Sequence, residues 1–214
     1  MNKKTFIIAE IGINHNGSEK KAMKLIKIAK DVGANAVKFQ TYVTSNLVIK
    51  NSKLANYQKK NSHFNNQFEL LKKNQLSQNV FIKLKKYSDK LGINFISSPF
   101  DLESAKFLIK ILGIKTIKIP SGEITNAPLL NYIGLNCKKI ILSTGMSNMS
   151  DINLALDVLT HSLLKKKINN FNFINSYKKN KKKIKDMIIL MHCNSEYPAD
   201  LSNLNLNNIK TLKN

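Results

Sequence analysis

The chain has 214 residues, 43% of them hydrophobic, and a formal charge of +22, which supports one sizeable core and makes a single domain the expectation. All 35 basic residues are lysine, so the planar guanidinium fork is excluded as an anion ligand; ammonium groups, hydroxyls and backbone N–H groups must hold any phosphate or carboxylate. The lysines spread along nearly every segment without interleaved aromatic stacking platforms, and Lys, Asn and Ile are in excess together, so nucleic acid is not the expected partner.

In chain order, short β-branched apolar runs recur at Phe6 to Ile11, Ala36 to Thr41, Ile93 to Ser98, Thr116 to Pro120, Ile140 to Thr144 and Met187 to Cys193. The first resembles a signal peptide only briefly, since Glu10 interrupts it, and no stretch is long enough to span a bilayer. Segments of helical period separate most runs, such as Ala22, Leu25, Ile26, Ile28 and Ala29, then Val80, Phe81, Leu84, Tyr87 and Leu91. Strand then helix, about six times over, predicts a parallel α/β sheet covered on both faces. Gly33, Gly92 and Gly113 stand where helices should end, and Ser18, Ser77, Asp101 and Ser150 or Asp151 where they should begin.

Two segments break the rhythm. Tyr42 to Leu76 is long and polar, and after the second strand it reads as a lid or substrate loop. Residues 165–185 form a Lys- and Asn-rich insertion with Phe171 and Phe173 embedded, expected to be solvated and mobile. Leu204 to Lys213 reads as the start of a helix. Six βα units fit either an open six-stranded sheet or a (β/α)8 TIM-barrel type fold truncated after about six units. The two cysteines, Cys137 and Cys193, make no metal or disulfide spacing, which fits a reduced cytoplasmic setting.

Polar residues gather where strands end. They are Glu10, Asn14, His15 and Asn16; Lys38 and Gln40; Ser97 and Ser98; Lys118, Ser121 and Glu123; Ser143 and Thr144; and His192, Asn194 and Ser195. By alternation Lys118 points away from Ile117 and Ile119, and Ser121 and Gly122 turn the chain so that Glu123 can return over the strand end. Lysines with hydroxyls suit a substrate bearing both carboxylate and phosphate. Glu10 and Glu123 suit orienting a lysine, moving a proton or holding a metal-bound water. A strand lysine could equally be a Schiff-base nucleophile. His192 could ligate a metal or be a hydrogen-bonded core histidine, and Cys193 is expected to pack on the other side. The GINHNG loop matches neither phosphate-loop pattern.

The strings AEIGINHNG (9–17), VKFQTY (37–42), FELLKKNQLS (68–77), SSPFD (97–101), KIPSGEITNAPLL (118–130), ILSTGMS (141–147) and HCNSEYP (192–198) together resemble the sialic acid synthase family. The resemblance implies a nonulosonic acid synthase that condenses phosphoenolpyruvate with an N-acetylmannosamine-type aldehyde sugar and releases phosphate. It implies phosphoenolpyruvate contacts from Glu10, Lys38, Lys118, Ser121 and Ser143, Gln40 near the sugar, Glu123 as the proton-handling carboxylate, and Asn14 and His15 in the substrate-binding set. It also implies a divalent metal, Mn or Mg, with His192 as one ligand. A barrel followed by an antifreeze-like domain, in a homodimer, is the family's architecture; the last barrel strands and that domain are not recognisable here. The expectation is a chain that needs a complementing polypeptide to be active; the alternatives are another phosphoenolpyruvate-dependent deoxy-sugar-acid synthase, or an inactive fragment or basic RNA-associating protein.

Overall fold

The structure is a computed structural model that describes residues 5–55, 64–166, 168, 172–194 and 199–213. Its strands are β1 (Ile8–Gly12), β2 (Ala36–Thr41), β3 (Asn94–Pro99), β4 (Thr116–Ile119), β5 (Lys139–Ser143) and β6 (Ile188–Met191), each within two residues of the expected bounds. They form two three-stranded sheets, β1-β2-β3 and β4-β5-β6, parallel throughout. The expected parallel α/β class is therefore present, and no closed barrel is found among the described residues. The chain divides into two compact units, Met1–Ile114 and Lys115–Asn214, and each strand triplet pairs within its own unit.

In the first unit, Ser18 caps α1 (Glu19–Asp31) by accepting from the Lys21 amide, and Ala22, Ile26 and Ala29 turn its apolar stripe inward. Ser77 caps α4 (Gln78–Leu91), which Gly92 ends in the left-handed region at φ +63°. Between them lie α2 (Thr44–Leu47) and α3 (Gln67–Asn74). After β3, Asp101 caps α5 (Leu102–Lys106), which continues as a π-helical turn over Phe107–Ile111. Phe39 of β2 stacks on Phe95 of β3 at 5.2 Å and meets Phe81 of α4 edge-on, and Phe81 meets Phe107. Burying each ring contributes about 1.5–3 kcal/mol, so this column fastens one face of the sheet to its helices.

The expected polar lid, Tyr42 to Leu76, contains α2 and α3 and is tied down, although residues 56–63 lie outside the described ones. Tyr42 Oη donates to the Leu71 carbonyl at 3.0 Å, and Gln75 Oε1 accepts from both the amide and hydroxyl of Thr44. Leu54, Leu71 and Leu76 are buried. Apolar residues four and more apart anchor a segment whose average composition reads as loop.

In the second unit α6 (Ala127–Asn136) packs against α7 (Met149–Leu163). A Cβ on Gly134 would stand 2.6 Å from Ser162 Cβ, so these helices approach closely only because position 134 has no side chain. The cap of α7 is Asn148 and not the expected Ser150 or Asp151. Asn148 Oδ1 accepts from the Asp151 amide at 2.9 Å while Asp151 answers the Asn148 amide at 3.0 Å, a reciprocal capping box. The 165–185 insertion, expected to be solvated and mobile, holds α8 (Ser176–Ile184) against α7. The Asp157 carboxylate of α7 accepts the Asn175 and Tyr177 amides, each at 2.8 Å, His161 Nδ1 pairs with Ser176 Oγ at 3.0 Å, and Ile184 is buried. Phe171 lies outside the described residues. A final short helix, α9 (Asn208–Lys213), matches the expected one. No helix among the described residues is long and apolar enough to cross a membrane.

Candidate active site: polar strand ends in each unit

In the first unit, β2 alternates cleanly. Phe39 and Thr41 face the helices, so Lys38 and Gln40 face the other way. Glu10 pairs in register with Lys38, and Gln40 with Ser98, which puts all four on one face. Glu10 Oε2 forms an ion pair with Lys38 Nζ, and Lys38 also reaches Ser98 Oγ at 3.5 Å. The lysine side chain is only 13% exposed and the glutamate 50%, so the cation is the desolvated member. A β-bulge follows at once, since β1 advances from Glu10 to Gly12 while β2 advances from Lys38 to Phe39. Gly12, at φ +55°, lies against the cluster: an added Cβ would be 3.1 Å from Glu10 Oε1 and 3.8 Å from Gln40 Nε2.

His15, expected in the substrate-binding set, lies outside this cluster. It is 1% exposed and stacks on Phe39 at 6.1 Å, on the helix side of the sheet. Its Nδ1 accepts the Gly17 amide at 3.1 Å, and burial lowers its pKa from the ordinary 6.5, opposed by the Gly12 carbonyl. The reason is the loop geometry: Asn14 and Asn16 amides turn back onto Ile11 and Ile13, which sends the intervening ring inward. Asn14, the other expected contact of this loop, is exposed.

In the second unit, register puts Lys118 of β4, Ile141 and Ser143 of β5, and Ile189 and Met191 of β6 on one face, with Ile117, Ile119, Ile140 and Leu142 on the helix face. Lys118 is half-buried and Ser143 is 2% exposed. Past β4, Ser121–Glu123 forms a 3₁₀ turn. Glu123 Oε2 accepts from Asn126 Nδ2 at 2.7 Å, and Asn126 Oδ1 in turn caps α6. One amide thus fixes the carboxylate and begins the helix.

Gly145 is where three strand ends meet. A Cβ there would come 3.1 Å from the Cys193 carbonyl and 3.3 Å from Ser121 Oγ, so the loops after β4, β5 and β6 converge on a residue with no side chain. Met146, next along, has φ +60° and stands 76% exposed; a non-glycine residue in that region is uncommon. A cavity of about 660 Å³ opens here, lined by Thr144, Gly145, Ser147, His192, Asn194 and Asn205 among others. Sequence reading passed over Asn126 and Gly145. The signal for the first is an Asn three residues past a turn glutamate and just before an apolar helix; for the second it is the single glycine of STGMS.

His192 is half-buried and its Nε2 lies 2.6 Å from the Leu204 carbonyl. No group of three His, Cys, Asp or Glu side chains among the described residues could hold a metal ion. The described donors by themselves thus make no three-residue metal centre. Cys193 Sγ donates to the Met191 carbonyl at 3.3 Å, and Ser195 lies outside the described residues.

Residues 25–214 match the NeuB family. The chain is 43% identical over 212 residues, 99% of its length, to an N,N'-diacetyllegionaminic acid synthase of Campylobacter jejuni, and 40% identical over 97% of its length to the N,N'-diacetyllegionaminic acid synthase of Legionella pneumophila. It covers 58% and 53% of those proteins, so it spans little more than half the length of these relatives. Among solved structures it resembles an N-acetylneuraminic acid synthetase from Leptospira borgpetersenii, in complex with citrate, with a TM-score of 0.73 and 32% identity; the match covers 99% of this chain and 62% of that one. The chain belongs to the NeuB family.

Proposed function

We propose that this chain carries the phosphoenolpyruvate-handling part of a nonulosonic acid synthase, within a fold that repeats the βα unit of a (β/α)8 barrel six times. The observation that carries the reading is the paired Glu10 and Lys38 beside Gln40 and Ser98 at the strand ends. The likeness to legionaminic acid synthases supports it. Two free thiols, Cys137 and Cys193, support a reducing, cytoplasmic location.

Each unit carries polar groups of its own. In the first, the half-desolvated Lys38 ammonium neutralises part of the substrate's anionic charge, Glu10 holds that ammonium in place, and Gln40 offers an amide to the acceptor sugar. In the second, taken by itself, Lys118 presents an ammonium, Ser121 and Ser143 hydroxyl donors, and Glu123 a carboxylate suited to moving a proton. In the reaction, carbon three of phosphoenolpyruvate attacks the aldehyde carbon of an N-acetylated amino sugar, and water adds to the resulting oxocarbenium carbon; one proton of that water passes by way of Glu123 to the former aldehyde oxygen. The C–O bond to phosphate then breaks, the new hydroxyl giving its remaining proton to the departing phosphate and leaving the keto acid. Asn126 keeps the Glu123 carboxylate aimed through the charge-assisted bond it donates.

Calorimetric titration with phosphoenolpyruvate tests the reading on this chain directly. Saturable binding that Lys38→Met strongly weakens supports it, and no binding by the folded wild-type chain refutes it. Phosphate release with Mn²⁺ and a 2,4-diacetamido or N-acetylmannosamine acceptor is then measured for this chain alone and with a polypeptide carrying the remaining region of the longer relatives. Activity only in the mixture identifies a site shared between polypeptides.

A further inference from the structure

The GINHNG loop leaves β1 through a bulge, and its glycines stand at both ends, Gly12 at φ +55° and Gly17 at φ +73°. Between them only His15 is buried among Asn14, His15 and Asn16. Its ring does two things at once. The carbon face lies on Phe39, interplanar angle 26°, and Nδ1 accepts the Gly17 amide. Phe39 sits in β2 between Lys38 and Gln40, the residues that face the candidate site from the opposite side of the sheet. At the other end of the loop, Gly12 is the residue packed against Glu10 and Gln40.

We infer that His15 is a positioning residue: its ring clamps the 12–17 loop to Phe39 and so fixes Gly12, and through it Glu10, against Lys38. A residue whose Nδ1 accepts an amide must carry its single proton on Nε2. Nε2 is buried with no hydrogen-bond partner among the described residues, so the ring is held by the Gly17 bond, by the nearby Gly12 carbonyl and by shape, and a charged ring would turn a donor toward the Gly17 N–H. Burial already favours the neutral form. Gly17 reinforces the clamp from outside, since a Cβ there would stand 2.3 Å from the Lys73 carbonyl; the loop is thereby fixed in a form only glycine allows. What the loop positions rests on the phosphoenolpyruvate reading; the clamp itself does not.

The test uses the whole chain with His15→Phe, which keeps a ring on Phe39 and removes the acceptor, and His15→Asn, whose Oδ1 can stand where Nδ1 stands. Hydrogen exchange at the Gly17 amide and calorimetric titration with phosphoenolpyruvate are read for each, beside the melting temperature. For His15→Phe, Gly17 exchange should quicken and phosphoenolpyruvate affinity should fall by about three- to tenfold, the scale of one neutral hydrogen bond. His15→Asn, which keeps the acceptor and loses the ring, should restore Gly17 protection and part of the affinity. Wild-type affinity in His15→Phe overturns the inference, as does equal loss of affinity in both variants. In the wild-type chain, ring nitrogen shifts should show the proton on Nε2; a proton on Nδ1 overturns the clamp even where a variant does not fold. A wild-type chain that ignores phosphoenolpyruvate defeats the functional reading alone, and Gly17 exchange with the ring shifts still decides the clamp.

Discussion

Lys38 is paired with Glu10 across the β1–β2 ladder, and the buried member of the pair is the cation. A surface ion pair contributes little, about 0–1 kcal/mol, whereas a half-desolvated ammonium left without its carboxylate is costly. An anionic substrate could satisfy the same ammonium, so the pair stores a ready cation. Lys38→Met should lower phosphoenolpyruvate affinity by about a hundredfold, the loss of a charge-assisted hydrogen bond, with a fold still intact by circular dichroism. Lys38→Arg should restore only part of it, because a planar fork cannot take the place of a compact ammonium beside Ser98. Calorimetry on the two variants checks both statements.

Gly145→Ala should be far more damaging than its size suggests. The added methyl meets the Cys193 carbonyl and Ser121 Oγ at once, and neither is the free end of a long side chain. A melting-temperature decrease reflecting about 1–3 kcal/mol is expected, the usual scale of local overpacking, together with weaker phosphoenolpyruvate binding. Gly122→Ala, where an added Cβ meets nothing within 4 Å, is the matched control and should leave both unchanged.

Stability should depend on pH through His15. Its folded pKa lies below the ordinary 6.5, so the unfolded chain binds the proton more readily. The full stability contribution is present above pH 6.5 and is lost as pH falls from there toward the folded pKa, with a limiting slope of about 1.4 kcal/mol per pH unit for one proton. Chemical denaturation from pH 7.5 downward should show this slope in the wild-type chain and a shallower one in His15→Phe.

The two thiols should differ sharply toward an alkylating reagent. Burial pushes the Cys137 thiol up to about 12, against the pull of Lys115 and Lys165, so it stays protonated and enclosed. Cys193 is only half-buried. At pH 8 iodoacetamide should label Cys193 in the native chain and reach Cys137 only after denaturation, as peptide mass spectrometry would show.

Asp157→Ala should release the start of α8. The carboxylate accepts two backbone amides, and Asn175, at φ +63°, makes no side-chain capping bond among the described residues. A loss of about 1–2 kcal/mol is expected, the cost of removing a cap, with faster exchange concentrated at 175–177.

How much of this was legible in the sequence depended on distance along the chain. Strands and most caps could be read, because period, cap and glycine signals act within a few residues; Ser18, Ser77 and Asp101 all cap as expected. The shared face of Lys38 and Gln40 could be read from alternation alone. His15 could not be placed, because whether a loop residue points in or out is set by turns that no periodicity announces. The cap at Asn148 was missed because two later candidates looked as good and only the reciprocal bond with Asp151 separates them. The anchoring of 42–76 escaped notice because it rests on pairs such as Tyr42 with Leu71, twenty-nine residues apart.

Asp157 gives α8 a beginning that α8 does not write for itself. The Lys- and Asn-rich stretch could exchange one such residue for another over many generations and keep its helix, provided the neighbouring helix retained a single acid and Ser176 and Ile184 kept their seats. The freedom to drift and the obligation to stay the same thus fall on different helices. A reader comparing variants of this chain should look for tolerance in one and intolerance in the other.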